Sequence, residues 1–252
     1  MGTTQLVVLI AVALASPLAL ADDEVGPPPD AAVQSGAGRG SFLTLGQPAG
    51  LADQRAYGVA VGGYDDARRS GLFEAAAEAR VWGPLSVRGG ARYGQDGQRL
   101  RPSLGLRFQA LREDRHGLDA SVAVAYRAEG FTEAEGEVEA MLAAGAHLGA
   151  AYLLGNVVYG QDGEGNERDG ELRLALQCPV GSRLFVGLDG RLRVALATPR
   201  AREPSLDLLA GPTAGVLLGR LALVAQAGVS TLRVSGVGSS GVFALGGLGT
   251  AF

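Results

Sequence analysis

The stretch from Gly71 to Ala110 decides the fold class and reads GLFEAAAEARVWGPLSVRGGARYGQDGQRLRPSLGLRFQA. Every second residue of its first part is apolar, at Phe73, Ala75, Ala77, Ala79 and Val81. The alternation restarts after Gly83-Pro84 and again at Leu100. A period of two is that of a β-strand, whose successive side chains point to opposite faces. The second face carries full charges, mostly arginine, at mid-strand positions, which predicts either a soluble sheet with a wet outer face or a transmembrane barrel with a charged lumen.

The composition limits the classes of function. The chain has 252 residues, of which 40 are glycine, and many glycines at period-two positions favour strands and turns over helices. All 22 basic residues are arginine, and the formal net charge of −4 argues against a general affinity for nucleic acid. Two histidines and one cysteine leave little for a metal site, so we expect neither a metal nor a cofactor.

The N-terminal residues differ in composition from the rest of the chain. An apolar run from Leu6 to Ala15 is followed by Ala19-Leu20-Ala21, which predicts an export signal peptide over residues 1–21. Residues 22–52 are rich in proline and glycine and are predicted to form a periplasmic linker or N-terminal segment. Residues 41–45 leave open a short strand or a partial plug of a lumen, although the linker is the favoured interpretation. The remainder, 53–252, is predicted to be one barrel domain.

The alternation continues from residue 53 to the end of the chain. The predicted strands are 55–64, 71–82, 85–93, 99–111, 117–128, 136–147, 150–160, 170–178, 183–197, 205–217, 220–233 and 239–252. Tight turns alternate with longer polar loops, including a predicted loop at 235–240, and this asymmetry is typical of outer-membrane barrels. We therefore predict an all-β fold, a single antiparallel up-and-down transmembrane β-barrel of about 12 strands. Helix propensity competes with this prediction at 74–80 and at 135–154, but the charges there keep even spacing, which favours strands.

Aromatic residues mark the ends of the predicted strands. Tyrosines lie at the loop ends of odd-numbered strands, at Tyr64, Tyr93, Tyr126 and Tyr159. Trp82 lies at the turn end of the second strand, and Phe252 closes the last one. Tyrosine and tryptophan prefer the membrane–water interface, because the ring is buried there while its polar tip stays wet.

With its signal peptide, alternating strands and terminal phenylalanine, the chain resembles the porin-like Gram-negative outer-membrane β-barrel class. The resemblance covers residues 53 to 252 and identifies an architecture, without an activity. It implies residence in the bacterial outer membrane, contact with outer-membrane lipid, and recognition of the strand ending in Phe252 by the barrel-assembly machinery. A secreted β-sandwich is the alternative outside the membrane.

The charged face supplies the candidate site. The predicted lumen-lining residues are Glu74, Glu78, Arg80, Arg88, Arg92, Arg101, Arg107, Asp119, Arg127, Glu137, Glu139, Arg173, Asp189, Arg191 and Arg193, with Glu129, Glu171 and Asp207 as further inward carboxylates. Opposed basic and acidic walls predict a narrow passive channel for small polar or charged solutes. The alternative is a structural or assembly-related barrel whose lumen is closed by arginine–carboxylate pairs.

Catalysis is not expected. A barrel lipid hydrolase, the third alternative, needs a serine, a histidine and an orienting group on neighbouring strands. His147 is predicted to point inward and His116 to lie in a turn, while Ser103 and Ser121 have no motif around them.

Overall fold

The computed structural model describes residues 45–51, 54–94, 99–130, 135–165, 167–197 and 204–252. The predicted signal peptide, and the predicted linker as far as residue 44, lie outside the described residues.

Within the described residues, twelve strands form one closed antiparallel barrel. They are β1 Ala56–Asp65, β2 Ser70–Trp82, β3 Leu85–Tyr93, β4 Leu100–Leu111, β5 Asp119–Ala128, β6 Gly136–Leu148, β7 Ala151–Asp162, β8 Arg168–Val180, β9 Leu184–Ala195, β10 Pro204–Leu218, β11 Leu221–Val234 and β12 Val237–Ala251. Each strand pairs with its neighbours in sequence, and β12 closes the ring on β1. The predicted fold class is confirmed, and every predicted strand end lies within two residues of the observed one.

Closure explains why the sequence EAAAEAR is a strand in spite of its helix propensity. Strand β2 pairs along most of its length with β1 on one side and with β3 on the other. A closed barrel satisfies these backbone groups between strands, which is the requirement that a lipid environment imposes. Alternation then turns Ala75 and Ala77 outward and Glu74 and Glu78 inward, which a helix would not do.

The two ends of the barrel differ in their connections. At one end, the turn end, residues 83–84, 149–150 and 219–220 link strands directly, and Glu113–His116 forms a helical turn, α1, that ends at Gly117 with φ 76°. The connections at the other end, the loop end, are mostly longer. The predicted loop 235–240 is wrong, because β11 and β12 continue to a two-residue turn at Ser235-Gly236. Both residues have positive φ, 49° and 81°, and such a turn matches the twist of the flanking strands.

The outer surface is apolar. Leu104 is 65% exposed, Leu142 60% and Val124 57%, values that would be unfavourable in water but suit contact with lipid. Tyr64, Tyr126 and Tyr159 are exposed near the loop end, and Trp82 is exposed near the turn end. In the part of the chain that the structure describes, no helix is long and apolar enough to cross a membrane.

The barrel interior is occupied by residues 45–51, which we call the lumen segment. Leu45, Ala49 and Leu51 are buried, and Leu45 packs against Val61, Leu72, Leu209, Phe243 and Leu245 on the inner wall. Residues 45–51 belong to the predicted linker or N-terminal segment, 22–52, and they bury apolar side chains and pair their backbone groups inside the barrel.

Candidate functional site in the barrel lumen

The residues predicted to line the lumen lie at inward positions of their strands. Charged and polar side chains such as Arg107, Arg173 and Asp189 are buried, whereas their neighbours in sequence on the outer face are exposed. The pairing registers carry this alternation from strand to strand around the barrel. Three groups of ion pairs result.

The first group lies towards the turn end. Arg107 Nε is 3.2 Å from Glu78 Oε2, and both side chains are about 1% exposed. Glu78 also accepts hydrogen bonds from Ser86 Oγ at 2.5 Å and from Tyr57 Oη at 3.3 Å. This carboxylate therefore has three partners from three strands, which is what a buried charge requires.

The second group lies towards the loop end, on β2, β3, β5 and β6. Arg92 lies between two carboxylates, with Nε 3.3 Å from Glu74 and an Nη 3.7 Å from Glu139. Arg127 pairs with Glu139 as well and lies 3.4 Å from Glu137. Glu139 thus bridges two arginines, so that the pairs form a connected network rather than separate contacts.

The third group lies on the opposite wall. Arg191 is 2.5 Å from Asp207, which also pairs with Arg68. Arg173 pairs with Glu171, and Arg193 pairs with Asp169. Sequence reasoning missed Arg68, because it belongs to the connection between β1 and β2 and only the tertiary structure folds it inward onto Asp65 and Asp207.

Three further predicted residues line two cavities of the barrel. Arg88 lines a cavity of about 50 Å³ together with Arg92, Glu74 and Ser103. Arg101 lines a second cavity of about 50 Å³ nearer the loop end, as does Glu129. A volume of this order holds one or a few water molecules.

Two predicted residues lie near the turn end. Asp119 Oδ1 accepts hydrogen bonds from Glu113 N and Gln109 Nε2, both at 3.0 Å, and so anchors α1 to the barrel. Arg80 donates its backbone N–H to Arg55 O at 2.8 Å, where the chain enters β1.

The lumen segment binds to the same walls through its backbone. Gln47 N donates to Asn156 Oδ1 at 2.7 Å, and Asn156 Nδ2 donates to Gln47 O at 2.8 Å. Leu45 N donates to Asp189 Oδ2 at 2.9 Å, and Arg173 donates to Leu45 O at 2.9 Å. Asn156 was not among the predicted site residues, since a lone asparagine within an apolar strand gives no sequence signal for binding.

His147 lies where it was predicted, at an inward position of β6. Its Nδ1 is 2.8 Å from Glu113 Oε2, and its ring packs on Tyr152 with centroids 4.8 Å apart. Ser121 Oγ is instead 3.5 Å from an Nη of Arg107, and Ser103 lines the cavity beside Arg88. The histidine thus joins α1 to β6, and the two serines belong to other parts of the lumen.

The lumen can hold ions and polar groups by charge, but metal ligands are scarce. Among the described residues, no group of three histidine, cysteine, aspartate or glutamate side chains is arranged to hold a metal ion. The charged groups that line the lumen are guanidinium and carboxylate groups facing one another across a narrow space.

Comparison with solved structures places this fold among barrels of known class. The chain is similar to the NanC porin, with a TM-score of 0.54 and 7% identity over 78% of this chain and 98% of that one. The KdgM porin gives a TM-score of 0.51 and 8% identity over 78% and 99% of the two chains. LpxR from Salmonella typhimurium gives 0.48 and 8% over 78% and 100%.

The chain therefore has the porin-like fold of outer-membrane β-barrels. No protein-family model matches the chain, and no curated protein matches it in sequence.

Proposed function

We propose that this protein is an outer-membrane barrel that serves as a narrow passive channel for small polar or charged solutes. The observation that carries the proposal is the charged lining, which runs from Glu78 and Arg107 near the turn end to Arg101 and Arg193 near the loop end. An apolar outer belt and a charged lumen are the features that distinguish a transmembrane barrel from a soluble one. The predicted signal peptide supports export to that location.

The lining favours solutes that carry charge of either sign or of both signs. Arg88 and Arg92 on β3 face Glu74 on β2 and Glu139 on β6 around one cavity. Opposed basic and acidic walls orient a zwitterion and replace part of the hydration shell of a small ion. Neutral apolar solutes gain nothing from such a lining.

Planar-bilayer recording tests the proposal. The purified barrel is expected to give discrete unitary conductance, and Arg88→Ala is expected to shift its anion-to-cation permeability ratio towards cations, because a positive charge leaves the lining. The matched control is Arg112→Ala, which removes an arginine that pairs with Asp114 at the turn end and is partly exposed. If Arg88→Ala and Arg112→Ala change the permeability ratio equally, the lining does not set the ion selectivity and the proposal is contradicted.

A second candidate function is a structural barrel with a closed lumen. The observation that favours it is the filling of the lumen by ion pairs and the lumen segment, beside which the two cavities lined by Arg88 and by Arg101 have volumes of about 50 Å³ each. This candidate predicts heat-modifiable mobility on gels, as for any closed barrel, without unitary conductance. The same recordings therefore separate the two candidates.

We also propose that the C-terminal strand addresses the chain to the barrel-assembly machinery. Phe252 lies directly after β12, where its carbonyl accepts a hydrogen bond from Arg55 N at 2.6 Å, next to the β1–β12 seam. Phe252→Ala is expected to lower the fraction of heat-modifiable barrel in membranes of cells, while refolding of purified protein in detergent stays unchanged. Equal loss in both settings would show that the residue acts on stability alone.

A further inference from the structure

We infer that the lumen segment is a built-in plug, bound as an extended peptide by the inner wall, and that it must leave its site before solutes pass. This inference rests on the proposed channel function and adds its regulation. It is carried by the backbone contacts of residues 45–51, by their apolar sockets and by the pairing of the wall charges.

The wall recognises the backbone of the segment. Asn156 is completely buried and uses both halves of its amide on Gln47, as a neighbouring strand would use its own N–H and C=O groups. The backbone of Leu45 is bound in the same manner: Asp189 accepts a hydrogen bond from its N–H, and Arg173 donates one to its carbonyl. Arg107 donates to Pro48 O. These side chains come from β4, β7, β8 and β9, so the segment crosses a large part of the lumen.

Two apolar sockets flank the polar contacts. Leu45 enters a cluster that includes Leu209 and Phe243, and Ala49 enters one that includes Met141 and Leu154. Gly50 is packed closely against the wall, because a Cβ at that position would lie 2.4 Å from Gln109 Cδ. The fit is thus made at both ends of the segment as well as along its backbone.

The segment obstructs the lumen in this position. It passes from Leu51, next to the start of β1, to Leu45 beside the middle of β9. The cavity that Gln47 lines has a volume of about 50 Å³, enough for a few water molecules and too small for a hydrated organic ion. Passage along this part of the lumen requires the segment to move.

The segment can leave without exposing unpaired charges on the wall, because the two arginines that bind it also pair with carboxylates of the wall. Arg107 keeps its ion pair with Glu78, and Arg173 keeps its pair with Glu171, when the segment leaves. Water entering the lumen can replace the contacts that Asn156 and Asp189 make to the backbone. Release of the segment therefore leaves neither of these two arginines as a buried, uncompensated charge, which is the costly outcome.

A reversible cross-link tests the inference in the full-length protein. The Cβ position at Gly50 lies close to Gln109 Cδ, which is two bonds from Gln109 Cβ, so the pair Gly50→Cys and Gln109→Cys is within disulfide reach. The native Cys178, on the outer face of β8, is replaced by serine in all variants. Gln109→Cys alone is the control for the reductant, and heat-modifiable mobility shows that each variant is folded.

Conductance is recorded before and after reduction. The oxidised cross-linked barrel is expected to be silent and the reduced barrel to open, while the Gln109→Cys control does not respond to the reductant. Asn156→Ala removes two hydrogen bonds to the segment and is expected to raise the ratio of open to closed channels roughly thirtyfold, since each such bond contributes about 1 kcal/mol.

The outcomes separate the plug from the channel. Equal conductance of the oxidised and reduced barrel would overturn the plug and leave the channel function standing. Silence of the oxidised barrel, the reduced barrel and Asn156→Ala alike would overturn the channel function, and the plug as its regulator with it.

Discussion

The ion pair between Glu78 and Arg107 is predicted to stabilise the barrel through its burial, and this prediction can be worked out in magnitude. The two charges are 3.2 Å apart with side chains about 1% exposed. Removing one partner of such a pair leaves the other buried and uncompensated, which costs about 3–5 kcal/mol. We therefore expect Arg107→Met to lower the free energy of unfolding by this amount. Glu78→Gln should cost less, because the amide can keep contacts with Ser86 and Tyr57.

The double variant Glu78→Gln with Arg107→Met isolates the pair. Arg107 also donates a hydrogen bond to Pro48 O. Both the single and the double variant that contain Arg107→Met lose this bond, so its contribution cancels in the double-mutant cycle. We expect a coupling energy of about 2–3 kcal/mol, so that the double variant is more stable than the sum of the single changes predicts. Urea titration of the barrel in lipid bilayers, with the folded fraction read from unboiled gels, measures all four free energies.

An exposed pair at similar distance is the control. Arg112 and Asp114 are 3.0 Å apart at the turn end, with side chains 33% and 55% exposed. Asp114→Asn is expected to cost less than about 1 kcal/mol, because water screens this pair. Additivity of Glu78→Gln and Arg107→Met within about 0.5 kcal/mol would refute the reasoning that burial makes the lumen pairs important.

Three further predictions concern other parts of the barrel. Gly211→Ala places a Cβ 2.1 Å from Ala227 O and should destabilise the barrel by about 1–3 kcal/mol. Gly246→Ala, whose Cβ meets nothing within 4 Å, is the control and should be neutral. The urea midpoints of the two variants test this difference, and equal midpoints would contradict it. Glu113→Ala removes both contacts to His147 and should lower the free energy of unfolding by about 1 kcal/mol. Amide hydrogen exchange should become faster in α1 while β6 stays protected. Unchanged exchange in α1 would show that Glu113 does not anchor α1 to β6. Val124→Arg, on the outer face, should cost about 2–4 kcal/mol in bilayers and Val124→Leu little, and a tolerated arginine would place this face outside the lipid.

Much of the barrel could be read from the sequence because alternation is local. The charges of β2, Glu74, Glu78 and Arg80, take the same face whatever their partners are, since a strand has a period of two. The same argument holds for Tyr152 and Tyr159 of β7, which differ in parity and lie on opposite faces without a break in register. The two-residue turn at Ser235-Gly236 escaped prediction, because its polar flanking residues resemble a loop although they are paired as strand.

The sequence by itself determined which residues form strands, which face of each strand is charged and how many strands close the ring, because these follow from a repeat of two residues and from turn spacing. Only the tertiary structure decided which charges meet. Glu139 joins Arg92 and Arg127, and Arg68 folds in from a connection, through contacts that depend on strand tilt and side-chain reach. The place of residues 45–51 was decided in the same way. Their backbone finds partners inside the barrel that no local pattern specifies, since hydrogen bonds from Gln47 to Asn156 join residues 109 positions apart.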